Sequence, residues 1–85
     1  MEIILYKDAK KDFEYWKESG NKVIQKKIQE LFTDMKKHPF EGIGKPEPLR
    51  HELSGKWSRR INQEHRIVYA VSENTINVYS LKGHY

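Results

Sequence analysis

The order of apolar and polar positions near the N-terminus predicts a strand and then a helix. Residues 2–6 (EIILY) form a short apolar run, which is typical of a strand buried on at least part of both faces. Asp8 follows as an N-cap, and Ser19-Gly20 ends the helical pattern. Between them, apolar residues recur at i, i+4 and i+7, so they share one helical face. They are Ala9, Phe13 and Trp16.

A second amphipathic helix is predicted between Asn21, which can cap it, and Pro39, which ends the pattern. Its apolar stripe lies opposite a lysine-rich face, so the two helices form a hairpin that needs a sheet to cover. The lysine face could bind a partner, although an ordinary solvated face is the simpler interpretation. The stripe comprises Ile24, Ile28, Leu31 and Met35, with Val23 and Phe32 beside it.

Residues 39–48 (PFEGIGKPEP) contain three prolines and two glycines, which predicts an ordered loop. Glu47 lies between Pro46 and Pro48, and these restrict the backbone on both sides. The loop therefore presents this carboxylate with less conformational freedom than a typical surface glutamate has. The alternative is a loop carboxylate that simply prefers solvent.

The rest of the chain predicts an antiparallel meander with strands at residues 49–53, 57–61, 65–71 and 75–82. In the second and third of these, the large apolar residues have odd numbers and should face the helices. Pairing Ile61 with His65 keeps both odd sets on that face and places Arg60 opposite Arg66. Two adjacent arginines repel each other by roughly 0.2–1 kcal/mol, which is easier to understand if an anion binds between them. By the same alternation, Arg59 and His65 face the helices and are weak catalytic candidates.

Composition limits the classes of function. At 85 residues, the chain predicts one domain, residues 1–85, without a large cofactor cleft. Its net charge of +4 and pI near 9.3 favour an anionic partner such as RNA, an acidic protein or a lipid surface. Residues 42–85 carry seven Lys/Arg and four Asp/Glu, so most of the excess positive charge lies in the second half.

Several chemistries lack the residues they need. Cysteine is absent, which removes disulfides and thiolate chemistry and suits a reducing cytoplasm. No signal peptide or membrane-spanning stretch is recognisable, so we expect a cytoplasmic protein with no membrane partner. The sequence also contains no HExxH, phosphate-binding glycine loop or histidine pair at ligand spacing, so we expect no metal and no cofactor.

Residues 45–66 concentrate the ionisable side chains and are the candidate site, although a solvated, charged sheet edge would have a similar composition. Metal-free cleavage of RNA needs a base for the 2′-hydroxyl, a cation for the phosphorane and an acid for the leaving 5′-oxygen. Glu47 could be the base, and Arg66 with Arg60 the cationic clamp. His84 could be the acid and Tyr85 could stack on a base, although a frayed terminal residue is the alternative for His84.

At these residues the chain closely resembles the YoeB toxins of the RelE superfamily, the ribosome-dependent mRNA interferases of bacterial toxin–antitoxin systems. The linked motifs run in order along the whole chain. They are residues 15–16 (YW), 38–42 (HPFEG), 44–49 (GKPEPL), 53–55 (LSG), 57–61 (WSRRI), 64–66 (EHR), 68–69 (VY) and 84–85 (HY).

The resemblance implies an α+β, RelE-like fold with two N-terminal α-helices packed on a small, twisted, mainly antiparallel β-sheet. It implies cleavage of mRNA in the A site of the 70S ribosome, a cognate YefM-like antitoxin and a homodimer. The family's base, transition-state arginine and acid match Glu47, Arg66 and His84. Supporting or RNA-binding positions match Tyr85, Arg60, Arg50, Lys45 and Glu64, with Arg50 standing where a close relative has lysine.

Two further classes of function remain open at this point. One is a non-catalytic RNA- or ribosome-binding module, for which the basic second half and Trp57 would suffice. The other is a protein-binding module, in which the helical hairpin or the basic sheet face holds an acidic peptide. New RNA ends would separate the enzyme from both.

Overall fold

The computed structural model describes residues 1–83, which form two helices packed on one face of a five-stranded sheet. The sheet order is β1-β5-β4-β3-β2, with β1 parallel to β5 and the other pairs antiparallel. The predicted α+β class with a mainly antiparallel sheet is therefore confirmed. The elements are β1 (Glu2–Leu5), α1 (Lys7–Ser19), α2 (Lys22–Lys37), β2 (Glu47–Pro48), β3 (Trp57–Arg60), β4 (Arg66–Ser72) and β5 (Thr75–Ser80).

Strand β1 forms one edge of the sheet, and this corrects the prediction that it is buried on at least part of both faces. Ile3 and Leu5 pack against the core, whereas the side chain of Ile4, on the opposite face, is 42% exposed. The apolar run indicated a strand correctly, but its central or edge position depends on pairing with the distant β5.

The helix ends follow local chemistry with one exception. Helix α1 begins at Lys7, after Tyr6, which makes no side-chain capping hydrogen bond, so the prediction of Asp8 as N-cap is wrong. Gly20 ends this helix in the left-handed conformation (φ 74°) that glycine adopts without strain. Asn21 caps α2 as predicted, since its side-chain oxygen accepts a hydrogen bond from the Ile24 N–H at 3.1 Å.

The predicted helical stripes form the core. Ala9 and Trp16 of α1 are buried, and Phe13 packs against them. The prediction that Val23 accompanies the α2 stripe is wrong, because its side chain is 79% exposed in the first turn. From the sheet, odd-numbered residues of β4 complete the core, as the alternation predicted. The buried members from these two elements are Ile24, Ile28, Leu31 and Met35 of α2 and Ile67 and Tyr69 of β4, and Ile76 and Val78 of β5 join the same core.

The meander is correct for three strands and wrong for the first. Residues 49–53 do not form a strand, because the pairing with β3 is made by Glu47–Pro48 and a 3-10 turn, His51–Leu53, follows. Strands β3, β4 and β5 lie within two residues of their predicted bounds. No helix within residues 1–83 is long and apolar enough to cross a membrane.

Candidate functional site

The candidate site lies on the sheet face opposite the helices, at the end where β3 meets β4. Arg60 pairs directly with Arg66, as the register argument predicted. Glu47 pairs with Ser58, which shares a face with Arg60 because strand side chains alternate. From strand spacing, the Cα atoms of Glu47 and Arg66 are about 12 Å apart, so long side chains from both can reach one bound group.

The turn between β3 and β4 orients the Arg66 guanidinium. Asn62 organises this turn, since its side-chain oxygen accepts hydrogen bonds from the backbone N–H groups of Glu64 and His65 at 2.9 and 2.8 Å. Arg66 Nη1 donates to the carbonyl oxygens of Asn62 (2.9 Å), Gln63 (3.3 Å) and His65 (3.3 Å). The turn therefore directs the cationic fork, and Glu64, predicted as a supporting residue, contributes its backbone to that turn.

The remaining predicted cations border the same region. Gly44 accepts a hydrogen bond from the Arg60 N–H at 2.6 Å, which brings the loop that carries Lys45 to the end of β3. Arg50 and Glu47 line one open cavity of about 320 Å³. Basic residues therefore lie near the carboxylate, an arrangement that is suited to binding a polyanion and offers one group that can accept a proton.

Buried Arg59 anchors the loop that carries Glu47 to the sheet. Its side chain points toward the helices, as predicted, and is fully buried. A guanidinium has five N–H donors, and each of them has an acceptor here. The acceptors are the Tyr69 hydroxyl (3.2 Å), Asp34 Oδ2 (2.6 Å), and the carbonyls of Ile43 (3.1 Å), Glu41 (2.8 Å) and His38.

Close packing around Asp34 shapes this loop. Asp34 Oδ2 also accepts a hydrogen bond from the Ile43 N–H at 3.1 Å. Gly42 has φ 115°, and a Cβ there would lie 2.0 Å from Asp34 Oδ2, so only glycine fits. The hydrogen bond from Arg59 holds the pKa of Asp34 below its ordinary value of 3.8. The charged pair thus requires an ionised Asp34.

The Arg59–Asp34 pair predicts a dependence of stability on pH. A lowered folded-state pKa gives a stabilisation that is fully present above pH 3.8 and is lost as the pH falls through the folded-state value. The difference in unfolding free energy between wild type and Asp34→Asn should therefore shrink below about pH 4. Urea denaturation at pH 7, 5, 4 and 3 measures it, and a difference that stays constant to pH 3 would contradict the assignment.

The predictions for His84 and Tyr85 lie outside the described residues. The structure does define Gly83, the residue before them. Its carbonyl accepts a hydrogen bond from the Arg66 N–H at 3.1 Å, and its N–H donates to His65 Nδ1 at 2.8 Å. The described chain therefore ends beside Arg66.

Two residues that were weak catalytic candidates by sequence have important structural roles near the site. Arg59 and His65 were set aside because they face the helices, yet one anchors the Glu47 loop and the other contacts Gly83. The signal was available, since a charged group that faces a core must be satisfied there. Ser58 was also not singled out. Its hydroxyl is buried between Glu47 and Val68 and has no hydrogen-bond partner among residues 1–83.

The described residues bring together no group of three or more potential metal ligands from His, Cys, Asp and Glu. What residues 1–83 do bring together is one carboxylate, a paired-arginine face and an anchored C-terminal segment. Such an arrangement can bind a phosphate and move a proton.

Comparison with known proteins agrees with this description. Residues 5–85 match the family described as the YoeB-like toxin of bacterial type II toxin–antitoxin systems. Toxin YoeB of Escherichia coli K12 is 47% identical over 85 residues and the match covers all of both chains. Two solved Staphylococcus aureus structures match this chain, and each match covers 100% of this chain and 98% of the Staphylococcus aureus chain. They are a YoeB dimer (43% identity, TM-score 0.90) and a YoeB–YefM complex (44%, 0.89).

The fold, the site and these matches define the class of protein: a toxin of a bacterial type II toxin–antitoxin system with the RelE-like α+β architecture. Within that class, the chain belongs to the YoeB family.

Proposed function

We propose that the chain is an endoribonuclease that cleaves mRNA in the ribosomal A site and thereby inhibits translation. The observation that carries this proposal is the Arg60–Arg66 pair on the same sheet face as Glu47. Adjacent guanidinium groups are favoured when a phosphate lies between them, and a nearby carboxylate supplies the base that phosphodiester cleavage needs.

The proposed mechanism is metal-free acid–base catalysis. Glu47 takes the proton from the 2′-hydroxyl, and the 2′-oxygen attacks the adjacent phosphorus. Arg66, assisted by Arg60, stabilises the charge on the phosphorane oxygens. His84 donates a proton to the 5′-oxygen as the P–O bond breaks. The products are a 2′,3′-cyclic phosphate and a 5′-hydroxyl, so protons and bonds balance without a cofactor.

The described geometry supports the placement of the acid in the C-terminal segment. Gly83 is hydrogen bonded to the backbone of Arg66, and residue 84 follows it directly. Lys45, Arg50 and Tyr85 are proposed to hold the RNA through its phosphates and bases, and Glu64 to support the turn that orients Arg66. The proposal treats residues 1–85 as one toxin domain that acts in the cytoplasm, where ribosomes translate.

The proposed protein partners are a YefM-like antitoxin and a second copy of the chain. The Staphylococcus aureus relatives, at 43–44% identity over the full chain, form such a complex and a dimer. The net charge of +4 suits an acidic antitoxin segment. A protein-binding role is thus part of the proposal and is not an alternative to it.

Mapping of mRNA ends tests the proposed function. A defined mRNA is incubated with the protein, with and without 70S ribosomes stalled at a known codon, and new ends are located by primer extension. We expect cuts at the A-site codon only when ribosomes are present, with 2′,3′-cyclic phosphate and 5′-hydroxyl termini. Binding to ribosomes without new ends would contradict the enzyme and favour a non-catalytic ribosome-binding module.

A further inference from the structure

The segment that follows β5, residues 81–83, is held in place by side chains of α1 and of the turn before β4. Asp12 Oδ2 accepts a hydrogen bond from the Leu81 N–H at 2.9 Å, and Trp16 Nε1 donates to the Leu81 carbonyl at 2.9 Å. Asp12 and Trp16 are four residues apart on α1 and therefore share one face of that helix. Together they bind both backbone groups of Leu81.

His65 holds the same segment two residues further along. Its Nδ1 accepts a hydrogen bond from the Gly83 N–H at 2.8 Å, so this nitrogen carries no proton. The imidazole packs edge-on against Trp16, with ring centroids 4.9 Å apart and an interplanar angle of 76°. The ring is half-buried, and these two contacts fix its orientation.

The Arg66 N–H completes the arrangement by donating to the Gly83 carbonyl at 3.1 Å. Both backbone groups of Gly83 are therefore hydrogen bonded: its N–H to the side chain of His65, and its carbonyl to the backbone N–H of Arg66. Its φ of 81° lies in the left-handed region that glycine adopts without strain. Three polar contacts from Asp12, Trp16 and His65 therefore place the segment against the start of β4.

We propose that His65, with Asp12 and Trp16, is a positioning residue for cleavage, because it holds the segment ending at Gly83 beside Arg66 and so fixes the point from which the chain continues to the proposed proton donor. The three side chains that hold Leu81 and Gly83, those of Asp12, Trp16 and His65, are called the C-terminal clamp. This inference rests on the proposed function, because it assigns the C-terminal clamp a role in that reaction. A proton donor misplaced by about 1 Å can cost on the order of 100-fold in rate. None of the three clamp side chains needs to touch the RNA.

Two variants of His65 separate the hydrogen bond from the packing. His65→Phe keeps an aromatic ring against Trp16 and removes the acceptor. His65→Asn removes the ring and keeps an oxygen where Nδ1 was, because both atoms are bonded to Cγ. Amide hydrogen exchange at Gly83, measured by NMR, reports on the clamp directly. Single-turnover cleavage at saturating ribosomes reports on positioning, and ribosome affinity reports on binding.

We expect His65→Phe to speed exchange at Gly83 by at least about 10-fold and to slow single-turnover cleavage by about 10- to 100-fold, with ribosome affinity unchanged. His65→Asn should stay within about 3-fold of wild type in cleavage. Asp12→Ala, which removes an acceptor from the partly exposed face of α1, should slow cleavage in the same way, and Asp12→Asn should restore it. A purely structural role would instead make ring loss, in His65→Asn, the worse change.

The outcomes distinguish this inference from the proposed function. If the wild-type protein cleaves mRNA and His65→Phe cleaves it at the same rate, the positioning role is overturned. Unchanged exchange at Gly83 in His65→Phe overturns the clamp itself, whatever the activity. A wild-type protein that makes no cut overturns the proposed function, and the catalytic part of this inference fails with it.

Discussion

Replacing Arg59 with methionine should lower the free energy of unfolding by about 3–5 kcal/mol, because it removes the fully buried partner of a partly buried ion pair, together with the hydrogen bonds that this partner donates. The guanidinium is fully buried, and its loss removes a hydrogen-bond donor from the Asp34 carboxylate, the Tyr69 hydroxyl and three loop carbonyls. That loss is a large share of the roughly 5–15 kcal/mol that stabilises a small domain. Urea denaturation at pH 7 measures it.

Arg60→Met is the matched control for this prediction. This variant makes the same exchange of arginine for methionine one position along β3, but Arg60 is exposed on the opposite face of the sheet. The free energy of unfolding of Arg60→Met should therefore differ from that of wild type by no more than about 0.5 kcal/mol. The comparison removes differences in helix or strand propensity and in net charge. Equal losses in the two variants would show that the buried network contributes little to stability.

Tyr69 should preserve part of this network when Arg59 is lost. Its hydroxyl donates to the Pro39 carbonyl at 2.7 Å, and burial raises its pKa, so the proton needed for that hydrogen bond is retained. The loop between α2 and β2 is therefore attached to the sheet through two side chains that point toward the helices. Neither side chain reaches the face that carries Arg66.

Arg66→Ala should reduce single-turnover mRNA cleavage on ribosomes by about 100- to 1,000-fold, the usual effect of removing one group that stabilises transition-state charge. The fold should persist, because the side chain is only half-buried and the hydrogen bonds it makes are to its own turn. Arg66→Lys should recover part of the rate, since it restores the charge without the planar fork.

Glu47→Gln tests the other half of the same chemistry. It keeps the size of the side chain and removes the base, so cleavage should fall by about 100- to 10,000-fold. The control for the positive charge that is lost in Arg66→Ala is Lys10→Ala. Lys10 lies on the exposed surface of α1, so this variant should cleave mRNA like wild type. Rapid cleavage by both Glu47→Gln and Arg66→Ala would exclude the proposed mechanism, whereas a loss confined to ribosome binding would assign the residues to docking.

Local rules predicted most of the elements because their causes are local. A period of 3.6 residues located the two helices, and a period of two residues located strands β3 to β5. Gly20 ends α1 through its own backbone conformation, and Asn21 begins α2 through its own side chain. The pairing of Arg60 with Arg66 followed from alternation alone, because strand faces change with every residue. The orientation of Arg59 followed from the same alternation.

Two of the errors, the first strand of the meander and the burial of β1, arose where a distant partner decides the outcome. Residues 49–53 look like a strand, yet β3 pairs with Glu47–Pro48 instead, directly after the loop that Arg59 anchors. The edge position of β1 depends on pairing with β5, more than 70 residues along the chain. Neither contact leaves a trace in the local pattern.

By itself, the sequence determined the helices, strands β1 and β3 to β5, the paired-arginine face and the family resemblance, since these depend on residue type and spacing. Only the tertiary structure decided that Arg59 anchors the Glu47 loop and that Asp12, Trp16 and His65 hold the segment ending at Gly83. A buried polar side chain must find its partners in space, and here they come from residues 10 to 69 positions away, beyond the range of any periodicity.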